Sequence, residues 1–233
     1  GCAFYAFDYL GHGFSEGTRF FIPDWTVNKQ DVINFCNLAA SKHSKDIPLF
    51  LSGSSYGGCL AIHTARHFQD HPEDGPSNFD SILLLAPAIV VDLPSFPKYH
   101  IIRYCLAPLF PKWKPFFMPN PVSPERLWRQ PEILKERTSL RYREMGLDRS
   151  GRPLRLGTAL NAIKACEKLR KKVIPGLTVP FCTVHGTDDA SVPMEGSVYL
   201  VENSKTPPSQ REFHRVEGAF HDLLADPLAD EVI

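Results

Sequence analysis

At 233 residues the chain is long enough for one domain with a buried core and too short for two independent domains of ordinary size. Its 26 basic and 26 acidic side chains cancel without any clustered basic excess, which argues against nucleic acid as an obligatory partner. No apolar run reaches the roughly 18 residues of a membrane-crossing helix.

In chain order, GCAFYAFDYL (1–10) reads as a short β-prone run, the first visible strand, closed by the glycine-rich turn GHGFSEG. Because the chain opens inside that run, it carries no information about a signal or anchor upstream of Gly1. From Asp24, a predicted N-cap, Trp25, Val32, Phe35, Cys36 and Ala39 fall on one face at helical spacing. Pro48 opens PLFLSGSSYGG, a brief apolar strand broken by small residues, and CLAIHTARHF continues as a helix. SILLLAPAIV (81–90) is a continuous apolar run, the pattern of a parallel strand covered on both faces.

Ten of the 21 prolines then lie between Pro87 and Pro131, interleaved with aromatic residues. That density forbids long regular elements, while the aromatics are too many for a solvated linker, so the segment reads as a packed insertion. Thr158 to Lys172 returns to helical periodicity. VPFCTVHG is the next strand, MEGSVYLVENS a helix, REFHRVEG the last strand and HDLLADPLADEVI a terminal helix. Strands alternating with helices predict parallel βαβ units, an α/β fold. Six cysteines, scattered without a C-x-x-C pair and partly inside apolar runs, read as free thiols of a reducing compartment such as the cytoplasm.

Gly53-Ser54-Ser55-Tyr56-Gly57 fits G-x-S-x-G, the pattern of a nucleophilic serine on a strained strand-to-helix turn whose neighbours must be small. By composition alone such a pattern turns up in on the order of one in ten chains of this length. What distinguishes this match is its place, where an apolar strand ends and a helix begins. A serine hydroxyl needs a general base, and the base needs an orienting group. In chain order serine, acid, histidine, with each on a loop after a strand, Asp189 and His221 satisfy the requirement. Asp188 competes with Asp189, Asp222 stays open, and His12 reads as a loop-packing residue.

Three segments resemble the monoacylglycerol lipase and lysophospholipase branch of the α/β-hydrolases, the serine aminopeptidase-like hydrolases. FDYLGHGFSEG is similar to the family's D-x-x-G-H-G-x-S-x-G loop, GSSYGG to its nucleophile elbow, and HGTDDASVP with GAFHDLL to its acid and histidine loops. The resemblance implies an α/β-hydrolase fold, a mostly parallel sheet flanked by helices. It implies a body of residues 1–91 and 158–233 and a cap or lid of residues 92–157. It implies Ser55, Asp189 (three residues after Gly186) and His221 as the triad, with the backbone N–H of Tyr56 as one oxyanion donor. Tyr56 stands where the family usually has methionine.

The second donor belongs to an H-G loop that does not precede Gly1. The family's first strands are missing with it, which implies a gap or a rearranged pairing beside the elbow strand. Losing one oxyanion donor costs about 2.7–4 kcal/mol of transition-state stabilisation, so the 233-residue piece by itself is expected to be nearly inactive. The implied substrate is a small-molecule lipid ester, a monoacylglycerol or lysophospholipid. The cap aromatics, Phe116 and Phe117 among them, would line an acyl tunnel or make peripheral membrane contact. Other readings stay open: a small-ester carboxylesterase, an aminopeptidase-like hydrolase, or a non-catalytic interaction protein. No metal constellation or phosphate cradle is visible, so neither metal nor cofactor is expected.

Overall fold

A computed structural model of the protein describes residues 1–91, 97–116, 120, 122–144 and 154–231. Asp24 caps α1 (Trp25–Ala40), its side chain accepting the N–H of Thr26, and Trp25, Val32, Cys36 and Ala39 are buried along one face. β1 (Leu49–Ser54) passes directly through Ser55 into α2 (Tyr56–Asp70), whose Cys59, Leu60, Ala61, Ile62 and Ala65 are fully enclosed. β2 (Phe79–Leu85) stops short of the apolar run expected over 81–90. Ala86 takes a φ of 45°, which turns the chain out of the strand.

The proline-rich stretch folds as short helices: α3 (Lys98–Ile101), α4 (Ala107–Leu109), α5 (Pro124–Leu127), α6 (Pro131–Arg137) and α7 (Leu140–Glu144). Proline stands in the first turn of α4, α5 and α6, where its missing N–H costs nothing. α8 (Leu156–Lys168) unwinds into a wide π-type turn over Leu169–Val173. β3 (Phe181–Gly186), α9 (Glu195–Asn203) and β4 (Arg211–Val216) complete the body.

All three strand pairings are parallel, and the order β1-β2-β3-β4 follows the chain. Side chains alternate across the sheet. Ile82 and Leu84 enter the main core with Leu60 and Ile62 of α2, Ala165 of α8 and Leu200 of α9. Leu85, Val184 and Val216 point the other way, into a smaller cluster with Ala219 and Leu223. On that second face Phe50 is 59% and Leu83 40% exposed.

Two expectations fail. Residues 1–9 carry no strand pairing. No strand of the described sheet lies on the outer side of β1 to receive their N–H and C=O groups, as the resemblance implied. The run instead holds on through its rings, Phe7 packing 4.6 Å from Phe35 of α1 at a tilt and edge-on to Tyr9 at 4.8 Å. The expected terminal helix is a series of turns ending in a 3-10 turn at Ala229–Glu231. Asp226 takes the N–H of Phe220 and of Leu228, and Pro227 has none to offer, so the helical ladder is interrupted at its middle.

The proline-rich stretch is tied to the body at several points, two of them through side-chain pairs. Arg103 pairs with Glu167 of α8, and Tyr99 joins the same carboxylate. Trp128, buried beside Leu127, donates its indole N–H to Asp222 at 2.7 Å. Phe116 is 93% exposed, and Phe117 lies outside the described residues. Among the described residues no helix is long and apolar enough to cross a membrane.

Candidate active site

The carboxyl ends of parallel strands all open on one edge of the sheet, and the residues marked in the sequence follow β1, β3 and β4 there. Ser55 has φ 55° and ψ −121°, a conformation that costs a non-glycine residue on the order of 1–3 kcal/mol. The surroundings impose it: Ser55 N–H donates to Leu85 O at 2.9 Å, and Ser55 O accepts from Ala88 N–H at 2.9 Å and Cys59 N–H at 3.2 Å. A Cβ on Gly53 would stand 2.4 Å from Gly57 O, so only glycine fits. The expectation of a small neighbour on the other side is corrected: a Cβ on Gly57 would meet nothing within 4 Å. Gly58 provides the second close approach, against Pro87, where a Cβ would lie 2.8 Å from Pro87 Cβ.

Tyr56 opens α2, so its backbone N–H has no carbonyl four residues back within the helix and remains available at the turn. Its ring packs against the main core, and its hydroxyl is buried with no hydrogen-bond partner among the described residues. Burial, with Cys59 and Tyr9 nearby, keeps that phenol protonated far above its usual range.

Asp189 stands three residues past the end of β3, its carboxylate 1% exposed. Oδ1 accepts the N–H of Ser191 at 2.7 Å and of Val192 at 2.9 Å, and Oδ2 lies 2.7 Å from His221 Nδ1 and 3.2 Å from His185 Nε2. Burial alone would raise its pKa. The hydrogen bonds from His185 and His221, the charge interaction with His221 and the Val192 N–H outweigh burial and hold the carboxyl well below the usual range. Ionised Asp189 can only accept, so His221 Nδ1 carries the proton between them.

The loops after β3 and β4 are locked together. Gly218 N–H donates to Thr187 Oγ1 at 2.8 Å, Asp188 N–H donates to Ala219 O at 3.1 Å, and a Cβ on Gly186 would stand 2.2 Å from Ala219 O.

The structure therefore brings Asp189 and His221 together. Ser55 stands on the same edge, with β2 between its strand and β3, and makes no hydrogen bond to His221 among the described residues. Such contacts commonly tighten only when substrate is bound. Asp188 is exposed and Asp222 is held by Trp128. His12 lies in its turn, Nδ1 3.1 Å from Leu10 O, edge-on to Phe20. His185, which shares Asp189 with His221, was one of nine histidines in the sequence; its cue is the spacing His185-Gly186-x-x-Asp189 across a strand end.

One group among the described residues could hold a metal ion: the ligand atoms of Cys182, Glu212 and His214 lie within 4.8 Å of one another. The cluster sits on the β3–β4 face, about 13 Å along β3 from its carboxyl end by strand rise. Burial and Glu212 raise the Cys182 thiol, which keeps its proton on. His214 already pairs with Glu212 at 3.1 Å.

A parallel sheet with flanking helices and these three loops at its carboxyl edge is an α/β-hydrolase fold. The profile of the Serine aminopeptidase, S33 family matches residues 1–228, and the chain belongs to that family. Its likeness falls in the monoacylglycerol lipase-like branch. It is 28% identical over 223 residues to a monoglyceride lipase of Rattus norvegicus, covering 94% of this chain and 66% of the relative. It is 29% identical over 227 residues to a caffeoylshikimate esterase of Arabidopsis thaliana, covering 96% and 63% respectively. The chain thus spans somewhat less than two thirds of the length of these relatives. The crystal structure of a Paleococcus ferrophilus monoacylglycerol lipase superposes with a TM-score of 0.72 at 24% identity, covering 98% of this chain and 78% of that one.

Proposed function

We propose that the chain is the core of a serine ester hydrolase that cleaves carboxylic esters of lipids, monoacylglycerols or lysophospholipids, through an acyl-enzyme. Ser55 is the nucleophile, His221 the general base, Asp189 its orienting acid and the N–H of Tyr56 an oxyanion donor. Residues 92–157 form a cap. The observation that carries this reading is the 2.7 Å bond from His221 Nδ1 to a buried, ionised Asp189, on the same sheet edge as a serine in a strained turn.

His221 Nε2 takes the proton of the Ser55 hydroxyl as its oxygen attacks the ester carbonyl. The tetrahedral oxyanion is met by the Tyr56 N–H at the start of α2, where the helix dipole adds positive potential. Collapse expels the alcohol, which receives the proton from His221. Water, deprotonated by the same imidazole, then releases the fatty acid. Asp189 stabilises the transient imidazolium and stays ionised throughout.

In the natural full-length protein, Ser55→Ala should abolish ester turnover and labelling by a fluorophosphonate while leaving the circular dichroism spectrum and melting temperature near those of the parent. Undiminished labelling of that variant would remove Ser55 from the mechanism. A second reading, hydrolysis of a small aromatic ester, is favoured by the likeness to the caffeoylshikimate esterase. Nitrophenyl esters of graded acyl length separate the two: kcat/KM rising with chain length supports the lipid reading, and a maximum at short acyl groups supports the other.

A further inference from the structure

The proposed triad uses one of the two imidazoles that touch Asp189. His185 is the penultimate residue of β3, its side chain fully buried, and it reaches the same Oδ2 that His221 holds. Its Nε2 lies 3.2 Å from Asp189 Oδ2 and 3.1 Å from Val192 O. An ionised carboxylate and a carbonyl can only accept, so Nε2 carries the proton and forks between them. Nδ1 lies 2.8 Å from Ser197 Oγ at the start of α9, and Ser197 Oγ is 3.3 Å from Thr183 Oγ1.

The whole chain is enclosed and closes without an orphan. With His185 neutral, Thr183 donates to Ser197, Ser197 to Nδ1, and Nε2–H to Asp189. The ring is thus pinned at both ends, by α9 on one side and by the acid loop on the other. Val192 belongs to both sides of this clamp, its N–H on Oδ1 and its C=O on His185.

We propose that His185 is a positioning residue: its Nε2–H fixes the Oδ2 lone pair that His221 does not use, and so sets the direction and strength with which Asp189 holds the His221 imidazole. The proposal rests on the triad reading above. Without this donor Oδ2 has His221 alone and draws the Nδ1 proton more strongly, and the Asp189 carboxylate loses one of the four contacts that aim it.

Two amide variants separate a directed hydrogen bond from core filling. His185→Gln places an N–H near the Nε2 position. His185→Asn is equally polar but places its amide near Nδ1, out of reach of Asp189. The readouts, in the natural full-length protein, are kcat per fluorophosphonate-titrated site, the acid limb of kcat/KM, and the downfield proton resonance that disappears in His221→Gln.

The Asn variant is expected to lose about tenfold or more in kcat, the worth of one hydrogen bond to a charged group, with little change in KM. Its acid limb should move to higher pH and its downfield resonance should shift or broaden. The Gln variant should recover most of the kcat and the wild-type resonance. If the two amides behave alike, or if the Asn variant loses only melting temperature and titratable sites, the proposal is overturned while the triad reading stands.

If the wild type neither turns over nor labels, the triad reading falls, and the resonance still decides: unchanged in the Asn variant it refutes the Asp189 coupling, altered it supports it. Should neither amide variant fold, Ser197→Ala unfastens Nδ1 and leaves Nε2–H in place. A shifted resonance with a severalfold lower kcat supports the clamp, and wild-type values for both refute it.

Discussion

His63 and Asp189 are both buried, and acid acts on them in successive windows. His63 stacks under Trp25 with its ring centroid 4.4 Å away and lies 3.1 Å from Ala165 O through Nε2. Burial lowers its pKa from 6.5 to about 4, the bond to Ala165 opposing and Lys168 and Lys29 assisting. Between those values the unfolded chain binds the proton and the folded one does not, so stability falls as pH drops from 6.5 towards 4 and levels off below. The expected loss between pH 7 and pH 5 is about 2 kcal/mol. Urea titrations at the two pH values should show it in the parent, and His63→Gln, which keeps a donor for Ala165, should shrink it. Asp189 has a depressed pKa, so its contribution is in force above the unfolded carboxyl value and drains only as pH falls below that, after the His63 window has closed.

Loops and strand ends explain which elements the sequence made legible. β3, α9 and β4 stood out because glycine, proline or serine stands near their ends, and α1 because Asp24 caps a run with apolar residues at helical spacing. The run 1–9 has the composition of a strand, yet a strand exists only where another backbone lies beside it, and composition does not carry that information. The terminal segment has helical periodicity, but Asp226 and Pro227 divert its backbone hydrogen bonds. The glycine pattern at 53–58 was legible as a motif, while the steric need for glycine at 58 depends on Pro87, more than 25 residues on. The same steric reasoning singles out Gly186. A methyl there would lie 2.2 Å from Ala219 O and push away the loop that ends at His221. Gly186→Ala should cost about 1–3 kcal/mol of stability by overpacking and should cut kcat more steeply than it lowers the melting temperature, measured side by side.

Across the molecule, the short helices of 97–144 meet the body through contacts that include Arg103 to Glu167 and Trp128 to Asp222, the second beside His221 in the chain. Phe116 stands out from that segment and is 93% exposed. If the proposed cap receives acyl chains, Phe116→Asp should raise KM for long-chain nitrophenyl esters far more than for the acetate; equal changes would detach Phe116 from chain recognition.

The sheet also grows in the order in which the chain is written, each strand lying against the one before it. During synthesis every new strand meets its partner already in place, and no earlier ladder has to be opened to admit it. The hydroxyl emerges first on its bent turn, and the groups proposed to activate it come only with the final two strands. A chain cut between β2 and β3 would therefore hold the hydroxyl at 55 without the carboxylate or the imidazole proposed to activate it.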